Sequence, residues 1–186
     1  CHPHLLDLEA AQSVDSSAKM DLLFEMLPEM VAAGRRILIF SQFTSMLGLI
    51  EKRVIAEGID HVKLTGNTRN RSALVKKFQT GKIPIFLISL KAGGVGLNLT
   101  KADTVIHYDP WWNPAIESQA TDRAYRIGQD NPVFVYKLIT KGSIEERIVA
   151  MQEDKKELVE SLLSAGTKRA LKLNKASLEQ LLRPLS

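Results

Sequence analysis

Unbroken apolar runs alternate along this chain with stretches of helical period, and this alternation constrains the fold more than any other feature. The runs ILIF (37–40) and IFLI (85–88) contain only residues typical of strands that are buried on both faces. The stretches between successive runs are long enough to form the crossover helices that parallel strands need. The pattern therefore predicts an α/β fold with a parallel β-sheet flanked by helices on both faces.

Five strands and three helices are predicted between residues 36 and 138. The strands are Arg36–Ser41, His61–Thr65, Ile85–Ser89, Thr104–His107 and Val133–Leu138. The helices between them are Thr44–Glu57, Arg71–Gln79 and Pro114–Arg126. Because parallel strands end at the same edge of a sheet, the loops that follow them should form the ligand-binding edge.

Further helices are predicted on either side of this region. Ser16 or Ser17 can cap a first helix that ends at Gly34, and Pro28 predicts a kink or an early stop within it. A last helix begins at Ser143, where the serine and the glutamate three residues later match a capping box.

Length, charge and cysteine content limit the organisation of the chain. Residues 1–16 are interpreted as a linker from an upstream region, residues 17–165 as one domain, and residues 166–186 as a basic extension. The apolar runs are far shorter than the roughly 20 residues of a membrane helix, so no membrane contact is expected. A single cysteine excludes an internal disulfide and favours a reducing cytoplasm. The net charge of +4 permits contact with phosphates but does not demand it.

A glycine-rich loop, KAGGVG (91–96), follows the third predicted strand. Its glycines let the backbone approach a ligand and turn amide groups towards an anion, although a plain tight turn is the alternative. The loop is not a complete nucleotide site, because the sequence contains neither a G-x-x-x-x-G-K-[ST] phosphate loop nor a D-E-x-[HD] run to hold magnesium. A dinucleotide fold is disfavoured too, because the first strand–helix turn, SQFTSM, lacks the glycine fingerprint.

Two arginines, Arg123 and Arg126, lie three residues apart on the third predicted helix, in the segment QATDRAYRIGQ (119–129). This spacing places both guanidinium groups on one face, where they could converge on one anion. Phosphoryl transfer uses such groups, because negative charge spreads over the γ-phosphate oxygens in the transition state. The alternative is a solvated basic stripe that pairs with Asp122 or Glu117.

Two further segments carry candidate contacts to nucleic acid. HYDPWWNP (107–114) is held in a stiff, non-helical course by its prolines, and its tryptophans are either buried anchors or a surface for a sugar or base. LTGNTRNR (64–71) ends the second strand, where Thr65 and the amides of a helix start suit a DNA phosphate, with Arg69 or Arg71 adding charge. An ordinary Thr or Asn helix cap is the alternative there.

In this order, the motifs resemble the C-terminal lobe of the Swi/Snf group within superfamily two helicases. The matching stretches are ILIFSQFTSML, LTGNT, ISLKAGGVGLNLTKADTVIHYDPWWNP, ESQATDRAYRIGQ and TKGSIEERI, which together cover roughly residues 17–165. The resemblance implies a RecA-like, P-loop NTPase-type fold and an ATP site shared with an N-terminal RecA-like lobe of the same protein. That N-terminal lobe would carry the phosphate loop, its lysine and the carboxylates that hold Mg²⁺.

The resemblance also implies roles for residues of this chain. Arg123 and Arg126 match the arginine fingers on the γ-phosphate, Gln119 supports that site, and Gly94 and Gly96 line it. The candidate contacts to the DNA backbone are Thr65, Gly66, Lys91, Asn98 and Trp112, with Arg69 and Arg71 as weaker additions. No metal site is expected on this lobe itself.

A motor that acts as a monomer and moves along double-stranded DNA is the function that the resemblance implies, and this lobe alone should not hydrolyse ATP. The lobe of a superfamily two RNA helicase and a non-catalytic nucleic-acid-binding or protein-binding module stay open as alternatives. The segment between Gly66 and Phe78 is short, as in bacterial members, and PWWNP differs from the D-W-N-P form common in eukaryotes. A bacterial source, with the protein in the cytoplasm at the nucleoid, is therefore expected.

Overall fold

The computed structural model describes residues 17–93, 96–125 and 132–164, with side chains through residue 157. The elements in these ranges are, in chain order, α1 (Ala18–Ala32), β1 (Ile37–Ser41), α2 (Thr44–Ala56), β2 (His61–Leu64), α3 (Arg71–Thr80), β3 (Ile85–Ser89), α4 (Leu90–Gly93), β4 (Thr104–His107), α5 (Pro114–Thr121), β5 (Phe134–Lys137) and α6 (Ile144–Ser164).

Within the described part of the chain, five strands form one parallel sheet in the order β2-β3-β1-β4-β5. The central strand β1 aligns Ile37 with Ile85 of β3 and with Thr104 of β4. Every residue of β1, β3 and β4 is buried, as expected for parallel strands that are covered on both faces. The predicted α/β architecture is therefore confirmed.

Alternate side chains of the central strand pack into two cores on opposite faces of the sheet. Ile37 and Ile39 join a core that includes the buried faces of α1 and α2. Leu38 and Phe40 join a second core, to which α3 contributes Phe78. Each fully buried Leu, Ile or Phe side chain contributes about 1.5–3 kcal/mol to folding. The many such side chains in the two cores therefore hold the helices on both faces of the sheet.

Helix α1 has the predicted ends but passes through its proline. The Ser17 hydroxyl accepts a hydrogen bond from the Met20 amide at 3.4 Å, and Gly34 after the helix has a φ of +75°. The alternative of an early stop at Pro28 is wrong, because the helix continues to Ala32. Buried apolar side chains on the same face hold the helix against the sheet, which outweighs the hydrogen bond lost at the proline.

Arg36 ties the amino end of the sheet together, opposite the edge where ligands are expected. Its Nη1 donates to the Ile83 carbonyl at 2.5 Å, and its Nη2 donates to the carbonyls of Phe78 at 2.9 Å and Gly81 at 2.5 Å. The Arg36 amide also donates to Asp103 Oδ1 at 3.3 Å. These bonds hold the loop that leads into β3.

The edge strand β5 and the start of α6 differ in detail from their predictions. Strand β5 is shorter than the predicted 133–138, because it aligns only with the four residues of β4. At the start of α6, the Ser143 hydroxyl accepts from the Glu145 amide at 3.2 Å, and Glu146 Oε2 accepts from the Gly142 amide at 2.8 Å. The two capping side chains are thus the predicted ones, but each bonds an amide one residue earlier than in the standard capping box.

A buried ion pair joins the amino ends of α1 and α6. Lys19 Nζ lies 2.5 Å from Glu145 Oε2, and Lys19 Nζ also donates to the Tyr108 carbonyl at 2.9 Å. Glu145 Oε2 accepts a further bond from the Thr140 amide at 2.8 Å. The sequence pattern gave no indication of this pair.

Among the described residues, no helix is long and apolar enough to cross a bilayer.

Candidate functional site

Three candidate residues follow the carboxyl ends of strands in the sheet. Thr65 follows β2, Lys91 lies just after β3 and Trp112 lies in the loop after β4. Gln42 follows β1 and so lies between Lys91 and Trp112 in the strand order. The structure therefore places these residues on one side of the sheet, spread over the ends of four neighbouring strands.

A cavity of about 410 Å³ opens at the centre of this edge. It is lined by Gln42, Phe43, Leu90, Lys91, Trp111, Ile116 and Gln119. Lys91, a candidate DNA contact, and Gln119, a candidate support of the ATP site, thus share one cavity. Gln42 and Phe43 were not predicted individually, although their position directly after the central buried strand was a usable signal.

The two described glycines of the glycine-rich loop meet different requirements. Gly93 is buried at the end of α4, where a Cβ would lie 2.9 Å from Cε1 of Phe40 and 3.5 Å from Cγ2 of Ile88. Gly96 is exposed and has a φ of +43°, a backbone conformation that favours glycine. Gly94 lies outside the described residues. The sequence analysis missed Gly93, whose requirement is close packing against Phe40.

Substituting alanine for Gly93 is expected to destabilise the fold by about 1–3 kcal/mol, because the new methyl group overlaps the fully buried ring of Phe40. Gly48→Ala in α2 is the matched control, since a Cβ there meets nothing within 4 Å. This control should stabilise the protein by about 0.4–1 kcal/mol. Urea unfolding measures both changes, and equal effects at the two positions would rule out the packing requirement at Gly93.

Arg123 lies in the turn that follows α5, so the prediction that it lies on the helix is wrong. Helix α5 ends at Thr121, and the Arg123 amide donates to the Ala120 carbonyl at 3.3 Å. The Arg123 carbonyl accepts from the Leu99 amide at 3.0 Å, and the arginine is half-buried. This bond fixes the backbone of Arg123 to the loop after the glycines. Arg126 lies outside the described residues.

The segment after the glycines is held against α3. Gln79 Nε2 donates to the Asn98 carbonyl at 2.8 Å, and Gln79 Oε1 accepts from the Lys101 amide at 3.1 Å. Leu97 and Leu99 are buried on either side of Asn98, which is exposed. The alternating pattern of this segment therefore leaves Asn98 accessible, as the predicted DNA contact would require.

The turn after β2 combines a helix cap with exposed groups. Asn70 caps α3 through its side chain, so the alternative of an Asn cap is confirmed. Gly66 and Arg69 are exposed, and Thr65 is half-buried. Arg71 Nη2 donates to the Gly66 carbonyl at 3.4 Å, which holds that guanidinium beside the turn. The cap thus leaves this turn accessible to a ligand.

The two tryptophans have different environments. Trp111 is partly buried and packs against a core, whereas Trp112 is 51% exposed. Their ring centroids are 5.9 Å apart, and Lys155 Nζ lies 5.0 Å from the centroid of the Trp112 ring. The interpretation as a buried anchor therefore applies to Trp111, and Trp112 is the ring that a nucleic acid could contact.

Asp109 fixes the carboxyl end of β1, a role that the sequence analysis missed. The Ser41 hydroxyl donates to Asp109 Oδ1 at 2.6 Å, and the Gln42 amide donates to Oδ2 at 2.8 Å. Burial raises the pKa of Asp109, and these two hydrogen bonds and the charge of Lys19 only partly offset that effect. An acidic residue two positions after a buried strand was the available signal.

His107, at the end of β4, is buried and holds the last residue of α5. Its Nε2 lies 3.0 Å from the Thr121 hydroxyl. Burial lowers the pKa of His107 from 6.5 to about 4, against the opposing charge of Glu117 and with a smaller contribution from Lys137. The imidazole is therefore neutral at physiological pH.

His107 should lower the free energy of unfolding in acid. Between pH 7 and the folded pKa of about 4, the unfolded histidine takes up a proton that the folded protein excludes. The contribution of His107 to the free energy of unfolding is fully present above the ordinary pKa of 6.5 and falls as the pH drops towards the folded pKa. At pH 5 the loss should be about 2 kcal/mol. Urea unfolding of wild type and His107→Gln tests this: the wild type's stability relative to the variant should fall by that amount from pH 7.5 to 5, and a constant difference contradicts it.

Mg²⁺ does not fit the described part of this lobe. In residues 17–93, 96–125 and 132–164, no group of three His, Cys, Asp or Glu side chains could hold a metal ion. The described carboxylates that are buried on this side of the sheet, Asp109, Glu117 and Glu145, are already bonded to protein groups.

Comparison with known proteins identifies the family. The model of the helicase conserved C-terminal domain matches residues 18–128. A Bacillus subtilis protein named as an ATP-dependent helicase/translocase, YwqA, is 43% identical over 152 residues, which are 80% of this chain and 16% of that protein. The SNF2 domain-containing protein ENL1 of Oryza sativa is 44% identical over 149 residues, 78% of this chain and 15% of that protein. The chain thus spans less than a fifth of these relatives.

A solved structure agrees with the fold. The crystal structure of the C-terminal part of the Fun30 ATPase domain superposes with a TM-score of 0.71 at 41% identity, covering 74% of this chain and 46% of that one. The predicted RecA-like fold is therefore confirmed. Since the relatives include bacterial and plant proteins, the expected bacterial source is not confirmed. The chain belongs to the helicase conserved C-terminal domain family, as a C-terminal lobe of the Swi/Snf type.

Proposed function

We propose that this chain is the C-terminal lobe of an ATP-dependent motor that moves along double-stranded DNA. The observation that carries the proposal is the 3.0 Å bond between the Arg123 carbonyl and the Leu99 amide. It fixes the backbone of a cationic residue to the loop after the glycines, and Gln119, one helical turn earlier, lines the cavity at the carboxyl edge together with Lys91. A helicase lobe needs a cation at this edge, because the transferred phosphoryl group carries spread negative charge.

The ATP site would form between this edge and an N-terminal lobe of the same protein. That lobe would supply the phosphate loop and the Mg²⁺ ligands, since the described residues here offer no metal site. Arg123 and Arg126 would stabilise charge on the γ-phosphate, Gln119 would support them, and Gly94 and Gly96 would line the site. The isolated lobe should therefore not hydrolyse ATP.

The DNA backbone would lie along the same edge. Four neighbouring strand ends at a spacing of about 4.8 Å extend over about 14 Å, which is about the distance along the helix axis between the first and the fifth of five successive phosphates of one DNA strand, at a rise of about 3.4 Å per step. The proposed contacts along it are Thr65, Gly66, Lys91 and Trp112, with Arg69 and Arg71 adding charge. Asn98, which lies beside Gln79 near the end of α3, would be a separate contact. Contacts to phosphates carry no base information, so the motor should act without sequence preference.

The proposal also implies a monomer, because one copy of the intact protein provides both lobes. A bacterial cytoplasm, at the nucleoid, is the location that fits the PWWNP form and the short segment between Gly66 and Phe78.

Nucleic-acid-dependent ATP turnover of the intact protein tests this function. We expect double-stranded DNA to raise turnover at least about tenfold, RNA to have a smaller effect, and the isolated chain to show no turnover. Stronger stimulation by RNA would favour an RNA helicase, and no turnover by the intact protein would favour a non-catalytic binding module. Either outcome contradicts the proposal, as does Mg²⁺-dependent turnover by the isolated chain.

A further inference from the structure

A buried carboxylate, Glu117, lies in the middle of α5 and has no role in the function proposed above. Its Oε1 accepts from the Trp111 amide at 2.6 Å and from Gln152 Nε2 at 2.9 Å, and its Oε2 lies 2.6 Å from Lys137 Nζ. Glu117 is 2% exposed. Burial opposes its ionisation, but the bonds from Lys137, Trp111 and Gln152 outweigh that effect and lower its pKa. Glu117 is therefore a charged group that binds three partners.

Gln152 of α6 binds the same residue, Trp111, at its carbonyl. Its Nε2 donates to the Trp111 carbonyl as well as to Glu117, and its Oε1 accepts from Lys137 Nζ at 3.2 Å. Gln152 is 4% exposed. A primary amide suits this environment, because it has two donor hydrogens and an acceptor oxygen. The amide and the carbonyl of Trp111 are thus both bound, one by α5 and the other by α6.

Glu117 and Gln152 connect the loop that contains the exposed Trp112 to α6. Lys155, on the same helix as Gln152, donates to the Trp112 carbonyl at 3.4 Å, and its ammonium lies 5.0 Å from the centroid of the Trp112 ring. The loop with Trp112 is therefore held at two consecutive residues by groups on one helix.

Glu117 also connects this loop to the turn after α5, which contains Arg123. Thr121, one helical turn after Glu117, is bonded to His107 of β4. Arg123 follows two residues later and is fixed to Leu99. The Glu117 side chain thus joins the loop of Trp112 to the helix that leads directly into Arg123.

We propose that Glu117 and Gln152 are positioning residues that make the DNA-contacting loop and the ATP-facing end of α5 move as one unit. The inference rests on the function proposed above, in which Trp112 contacts DNA and Arg123 faces ATP. Without this pair, the loop could shift along the DNA while α5 stayed in place, and hydrolysis would no longer be converted efficiently into movement.

The test uses the intact protein with Gln152→Leu, which removes both the donors and the acceptor at similar volume. Glu153→Gln is the matched control, because the neighbouring glutamate on α6 is exposed. The first readout is ATP turnover at saturating double-stranded DNA. The second is the amount of ATP consumed for each third strand that the moving protein displaces from a DNA triplex. Gln152→Leu should raise the ATP consumed per displacement at least about threefold, whereas Glu153→Gln should match the wild type.

A purely structural role would lower turnover and displacement in the same proportion, which would overturn the inference, as would a wild-type ratio in Gln152→Leu. If Gln152→Leu does not fold, Gln152→Asn, one methylene shorter, should show the same loss at about twofold. A wild-type protein that double-stranded DNA does not stimulate would instead refute the proposed function itself.

Discussion

Arg123→Ala in the intact protein is expected to lower DNA-stimulated ATP turnover about 10³-fold or more. The guanidinium stabilises charge that develops only in the transition state, so its loss should lower kcat and kcat/KM for ATP together. Affinity for double-stranded DNA should stay within about threefold of wild type, because Arg123 is not among the proposed DNA contacts. Steady-state kinetics and a DNA-binding titration measure the two effects.

The control for this substitution is Arg147→Ala, which removes an exposed arginine from α6. Its turnover should match that of the wild type. Arg123→Lys should recover only part of the activity, because an ammonium group keeps the charge but loses the planar fork of donors. Turnover by Arg123→Ala within about tenfold of wild type would remove Arg123 from the catalytic site.

Lys19→Ala is expected to destabilise this chain by about 3–5 kcal/mol, because it removes the ammonium group that lies 2.5 Å from the buried Glu145 carboxylate. The Tyr108 carbonyl loses its Lys19 donor in the same variant. Urea unfolding at neutral pH measures the change in the free energy of unfolding.

The double variant Lys19→Met/Glu145→Gln separates charge from packing. It removes both charges and keeps an acceptor for the Thr140 amide, so its stability should lie within about 1–2 kcal/mol of wild type. Arg53→Ala, which breaks the exposed pair with Asp21, is the surface control and should cost less than about 1 kcal/mol. A double variant as unstable as Lys19→Ala would show that the buried charge is not the cause.

The architecture was predictable because the strands are buried on both faces. Strand β3 has exactly the predicted bounds, Ile85–Ser89, and so does β4, Thr104–His107. Where packing is weaker, the boundaries moved. Strand β5 lies at the edge of the sheet with Phe134 and Val135 exposed, so apolar content there did not mark its ends.

The positions of candidate residues were predictable only where they depend on nearby sequence, as at the ends of strands. The strand ends carry the selected residues because parallel strands share one carboxyl edge. The end of α5 was not predictable, because a bond from the distant Leu99 amide decides where Arg123 lies. The same holds for Gln152 and Glu117, which are separated by 35 residues and meet only through the packing of α6 on the loop after β4. Helical periodicity contains no information on such contacts.

The most direct test of the central claim is a structure of the intact protein bound to double-stranded DNA and a transition-state analogue such as ADP–aluminium fluoride. We predict that the Arg123 guanidinium lies within about 2.7–3.2 Å of the group that mimics the γ-phosphate, with that nucleotide held by the other lobe. An Arg123 side chain that is enclosed within its own lobe, or that points away from the nucleotide, would contradict the account.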